Sequence, residues 1–131
     1  MRNRLHRILN WFIKPITEPI KFIFIDAGYH CYSVATALQE RDGCELVAFI
    51  DEEPWGHLTE LLGVKLYYPS ELLALAEKNN INIVVRFEGK GWIPDTETID
   101  QLRKRKVGII SFAEELTLEQ ALEQLDKQLQ L

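Results

Sequence analysis

The stretch from Lys21 to Ala37, K-F-I-F-I-D-A-G-Y-H-C-Y-S-V-A-T-A, constrains the fold of this chain more than any other. Phe22-Ile23-Phe24-Ile25 is a short continuous apolar run, the pattern of a strand covered on both faces. Asp26-Ala27-Gly28 follows as a small turn, and beyond it Val34, Ala35 and Leu38 fall on one side of a helix. Leu46-Val47-Ala48-Phe49-Ile50 is a second buried strand, ended by Asp51. Strands buried on both faces need helices above and below them, so strand, turn, helix and strand in this order make a parallel βαβ unit.

The rest of the chain repeats the alternation. Asp51 to Gly56 is a loop, and a short helical turn is expected over Leu58–Leu62. Gly63 to Tyr67 reads as a short edge strand, and Ser70 is the expected N-cap of a helix whose apolar face is Leu72, Leu73, Leu75 and Ala76. Ile81 to Val85 is the next buried strand, followed by the loop Glu88-Gly89-Lys90-Gly91-Trp92. Asp95 or Thr96 caps a helix over Ile99 and Leu102, and Val107 to Ile110 is the last strand. Thr117-Leu118-Glu119-Gln120 is a capping box opening a C-terminal helix with Leu118, Leu122, Leu125 and Leu129 on one stripe. The expected fold is α/β: a Rossmann-like five-stranded parallel sheet, order 3-2-1-4-5, with helices on both faces.

Residues 1–20 stand apart as an amphipathic helix and linker, ahead of a domain over residues 21–131. Leu5, Ile8, Leu9 and Phe12 recur at helical spacing with arginines between them, and Pro15 and Pro19 end the pattern. Residues 1–14 carry Arg2, Arg4, Arg7 and Lys14 and no acid, a charge of +4, while the remainder is −9. Residues 2–13 fit peripheral contact with a membrane surface, or packing on the domain or on a second subunit, which makes a homo-oligomer the expected assembly. The acidic body argues against nucleic acid as partner. No apolar run reaches the ~18 residues of a spanning helix. The start lacks a signal peptide's uninterrupted apolar core, and Cys31 and Cys44 have no metal or redox spacing, so a cytoplasmic protein with reduced thiols is expected, with the inner face of the membrane as a further location.

In a sheet of this order ligands bind beyond the carboxyl ends of the strands, at the switch point between the first and fourth. Gly28, Tyr29, His30, Asp51, Arg86 and Lys90 are the candidate binding residues delivered there. His30 is placed to donate to a phosphate or a base, or is an exposed first-turn histidine. Asp51 is placed to accept from ribose hydroxyls, or is solvated among neighbouring acids. Arg86 and Lys90 either hold an anion or form structural ion pairs. In the dinucleotide fingerprint G-x-G-x-x-G, the first glycine makes the turn, the second admits the pyrophosphate and the third packs helix on strand. Here those places hold Asp26, Gly28 and Cys31, and Asp26 sets a carboxylate against the helix N-terminus as an anion site.

I-D-A-G-Y-H-C, V-A-F-I-D-E-E-P, L-L-G-V-K-L-Y-Y-P-S-E-L-L and I-N-I-V-V resemble, in order and spacing over about residues 21–112, the Rossmann-like N-terminal domain of bacterial nucleotide-sugar acyltransferases and of nucleotide-sugar dehydratase and epimerase relatives. The resemblance assigns Gly28 and His30 to the nucleotide-contacting turn and Asp51 to the acidic strand end. It implies a nucleotide or nucleotide-sugar as ligand, ahead of NAD, and a link to surface-polysaccharide metabolism. Asp26 and Tyr29 depart from glycines of that turn. The domains that carry catalysis in those proteins have no counterpart here, and no catalytic or metal-binding set can be assembled from the sequence. The expected function is a stand-alone, non-catalytic binding module; the alternative is a ligand-free interaction or dimerisation domain.

Overall fold

The computed structural model describes residues 18–129. Its elements are β1 (Ile20–Ile25), α1 (Tyr29–Gln39), β2 (Cys44–Ile50), β3 (Glu60–Leu61), β4 (Val64–Tyr67), α2 (Leu72–Asn79), β5 (Ile83–Phe87), α3 (Thr96–Lys104), β6 (Gly108–Phe112) and α4 (Leu118–Leu129). The expected basic helix over residues 2–13 lies outside the described residues.

The strands form one sheet in the order β3-β4-β2-β1-β5-β6. Leaving β3 aside, the five remaining strands are parallel and stand in the expected order. Alternation along the central strands divides the core into two layers. Phe22 and Phe24 of β1 and Val85 and Phe87 of β5 face α1 and α4, where Val34, Leu38, Ala121 and Leu125 meet them. Ile23, Ile25 and Val84 face the other way, onto Leu72 and Ala76 of α2 and Leu102 of α3. The β1–β2 register slips between Phe22 and Ile23, so Val47 has no partner on β1. Val47 and Ala48 consequently both lie on the α2–α3 side.

Three expectations are corrected. The sheet has six strands, because the residues expected to form a helical turn over Leu58–Leu62 form half of a hairpin instead. Leu61 pairs with Val64 across the two-residue turn Leu62-Gly63, and both turn residues have positive φ, 56° and 82°. That is the condition for the hairpin turn matching strand twist, but leucine is not the residue that advertises it. Ser70 does not cap α2: a 3-10 turn over Pro69–Glu71 precedes the helix, and the Glu71 carboxylate accepts from the Tyr68 N–H at 2.8 Å. Leu118 is 39% exposed, so the packed stripe of α4 is Ala121 and Leu125 with Leu122 and Leu129 beside them.

The capping box at Thr117 forms as expected. Thr117 Oγ1 accepts from the Gln120 N–H at 3.1 Å, and Gln120 Oε1 accepts from the Thr117 N–H at 3.0 Å. The Arg41–Asp126 pair ties the turn after α1 to α4, but its side chains are 31% and 41% exposed, and such pairs contribute about 0–1 kcal/mol. Burial of Leu125 stabilises the docking of α4 more, by about 1.5–3 kcal/mol. Thr117→Ala should therefore lower stability by about 1 kcal/mol in urea unfolding, while Thr117→Ser should keep most of it.

Candidate functional site

The carboxyl ends of β1, β2 and β5 bring the candidate residues to one edge of the sheet. Asp26 stands where β1 turns into α1. Its N–H donates to the Ile50 carbonyl at 2.7 Å, extending the β1–β2 ladder by one step. Its φ is 90°, in the left-handed region that favours glycine. The chain thus keeps the turn that a fingerprint glycine makes and holds it with an aspartate.

The Asp26 side chain closes that turn. Oδ2 accepts from the Gly28 N–H at 3.0 Å, the amide that the resemblance assigns to a nucleotide. Gly91, in the loop after β5, lies over the same residue: a Cβ at Gly91, whose φ is 72°, would sit 2.7 Å from Asp26 Cβ. Only glycine permits so close an approach. A cavity of about 250 Å³ opens beside it, with Asp26, Asp51, Glu52 and Glu53 supplying carboxylates and Ile50, Gly91 and Trp92 the remaining walls. Asp51 Oδ1 accepts from the Glu53 N–H at 2.9 Å, which orders the loop after β2 and leaves the second carboxylate oxygen for another donor.

The other candidates are spread around this edge. Tyr29 is 79% exposed and stands edge-on to the His30 ring, 5.9 Å between centroids. His30 leans against Phe87 at 5.1 Å, so an aromatic contact holds it at the start of α1. Lys90 pairs with Glu114 at 3.6 Å, the structural alternative. Arg86 pairs with no carboxylate among the described residues; its Nη1 donates to Ser111 Oγ at 3.2 Å.

Cys31 fills the third glycine place and is buried under the turn, donating from Sγ to the Ile25 carbonyl at 3.2 Å. Burial pushes its thiol up to about 12, with the Asp26 charge adding and Arg86 opposing. It stays a thiol near neutral pH and packs helix on strand; it is no nucleophile.

Glu53, Gly91 and Trp92 join the site without having been among the residues expected from the sequence. Gly91 and Trp92 were legible only as a glycine-flanked loop at the end of the fourth expected strand, and that spacing does not say that the loop folds back over Asp26. A second cluster, beyond β4, was equally unannounced. There the His57 ring stacks on Tyr68 at 3.9 Å and Nε2 lies 2.7 Å from Glu71 Oε2. The Tyr68 N–H, more than the histidine, holds the Glu71 carboxyl below its usual range, while burial opposes both.

No protein-family model and no curated protein matches this chain. Solved structures do. UDP-D-quinovosamine 4-dehydrogenase from Vibrio fischeri superposes with a TM-score of 0.61 at 22% identity, over 83% of this chain and 87% of that one. RSP, a Rex-family repressor, gives 0.58 at 17% identity over 95% of this chain and 66% of its own. Homoserine dehydrogenase from S. aureus gives 0.51 at 16% identity, with 86% and 31% covered. The chain therefore spans about two thirds of the repressor and under a third of homoserine dehydrogenase. RSP has also been solved with β-NADH, and with β-NAD+ and operator DNA, which cuts against the expectation, drawn from charge alone, that nucleic acid is no partner. No sequence match supports the acyltransferase or epimerase kinship; the likeness is one of architecture, and the chain has the Rossmann-like fold.

Proposed function

We propose that this chain is a nucleotide-binding Rossmann-like module, non-catalytic by itself, whose ligand is a nucleotide or nucleotide-sugar. The observation that carries the reading is the cavity at the carboxyl ends of β1 and β2, with Asp51 at the end of β2 where ribose hydroxyls are read in this fold. Its volume, about 250 Å³, is below the ~300–1,000 Å³ of typical ligand pockets. It suits a nucleoside portion better than a whole dinucleotide, which keeps NAD behind the smaller ligands. Two similar structures, a UDP-sugar dehydrogenase and a repressor solved with β-NADH, support a nucleotide. The same reading links the module to sugar-nucleotide metabolism and a cytoplasmic location.

The alternative, an interaction module without ligand, is favoured by one feature: the Asp26 carboxylate occupies the Gly28 N–H. Residues 2–13 would then carry self-association or membrane contact.

Thermal denaturation with UMP, UDP, UDP-sugars and NAD separates the two readings. The expected result is a saturable rise with a uridine nucleotide or UDP-sugar, about 2.7 kcal/mol at 100 times Kd. No response to any of them, with self-association that vanishes on deleting residues 1–14, would favour the interaction module.

A further inference from the structure

Arg86 is the charged residue of β5, and among the described residues its buried Nε has no acceptor. Val84 belongs to the core layer under α2 and α3, and Val85 and Phe87 to the opposite one, so strand alternation puts Arg86 on the α2–α3 side. Ser111 stands opposite it in the β5–β6 register and accepts from Nη1 at 3.2 Å. The Nε–H is buried and donates to nothing among the described residues. Buried charged donors are ordinarily paired, so an orphan of this kind calls for an acceptor. With Nη1 engaged, Nε and Nη2 remain, and a turn of the side chain that uncovers Nε presents the guanidinium edge that grips two oxygens of one oxyanion.

The place matters as much as the donor. The β1–β5 ladder pairs Phe24 with Val85, which sets Arg86 beside Ile25, one residue before Asp26 and at the switch point of the sheet. The usual anion site there, the N-terminus of the first helix, has its Gly28 amide closed by Asp26, and Lys90 is engaged by Glu114. We propose that anion recognition in this chain has moved across the switch point, from the start of α1 to the Nε–Nη2 edge of Arg86, with Ser111 as its positioning residue. The ligand group is an oxyanion presenting two oxygens, a phosphate or a carboxylate. The nucleotide reading enters only in making that oxyanion the phosphate of the ligand.

The test is thermal denaturation of the full chain at fixed ionic strength in chloride, millimolar inorganic phosphate, acetate or UMP, for wild type, Arg86→Met and Lys90→Gln. Phosphate should raise the melting temperature of wild type and Lys90→Gln in a saturable way and leave Arg86→Met unmoved. In chloride, Arg86→Met should melt at or above wild type, since it removes an unpaired buried donor. A response to acetate but not phosphate would assign a carboxylate and still support the site. Equal responses of wild type and Arg86→Met, no response of wild type to either anion, or an Arg86→Met variant melting far below wild type in chloride would each overturn it. If Arg86→Met does not fold, Arg86→Lys replaces it: it keeps the charge and loses the two-donor edge, and at least a tenfold loss of phosphate affinity is expected, unchanged affinity being the refutation. UMP separates this inference from the nucleotide reading. Binding of UMP equally to wild type and Arg86→Met keeps the nucleotide and removes Arg86, whereas Arg86-dependent phosphate binding without UMP binding does the reverse.

Discussion

Phe24→Ala should lower the unfolding free energy by about 3–5 kcal/mol, a large share of the roughly 5–15 kcal/mol that a domain commands. Phe24 is fully buried near the carboxyl end of β1, with Phe22 and Phe49 at 6.4 and 6.0 Å between ring centroids. Truncation removes the burial of a whole ring and leaves a hole beneath α1 and α4 that the parallel ladders on both sides of β1 prevent from collapsing. Chemical denaturation reads the result directly: the midpoint should fall sharply at nearly constant slope. A loss under about 1 kcal/mol would mean that this layer repacks freely and that Phe24 is not held in a rigid core.

Asp26→Gly is the substitution expected to strengthen binding. The substitution removes a carboxylate from the mouth of the cavity, releases the Gly28 N–H and puts glycine where φ is already 90°. On stability these nearly offset: relief of left-handed strain is worth about 1 kcal/mol, and the lost hydrogen bond with the added chain entropy costs about as much. On binding they add. A unit charge about 4 Å from a phosphate at an effective dielectric near 20 is worth about 4 kcal/mol before screening. Salt and exposure reduce this to roughly 1–2 kcal/mol, near tenfold in affinity. Calorimetric titration of both proteins with UMP, UDP and UDP-sugars should show that gain. Tight binding by the wild type would show that Asp26 is no obstacle, and undetectable binding by both would favour the interaction module.

The parallel core of the sheet and its order were legible in the chain because they rest on burial. Phe22–Ile25, Leu46–Ile50 and the run at Ile81–Val85 can satisfy both faces only between helices, and the helices announce themselves by local signals such as Asp95, whose carboxylate accepts from the Thr98 N–H at 2.8 Å, and the Thr117 box. The outer hairpin was not legible, because Leu62 takes a positive φ that its side chain gives no hint of and that pairing with β4 imposes. Asp26 shows the same division within the site. That a carboxylate replaces the fingerprint glycine is plain from the chain alone. What that carboxylate does is a property of the folded molecule: its bond to the Gly28 N–H is local but needs the left-handed backbone at Asp26, and the approach of Gly91 comes from a loop some 65 residues further on. Arg86 is the clearest case: its charge is local, but whether that charge is paired depends on which side chains three strands bring to one edge of the sheet, and no spacing along the chain records that.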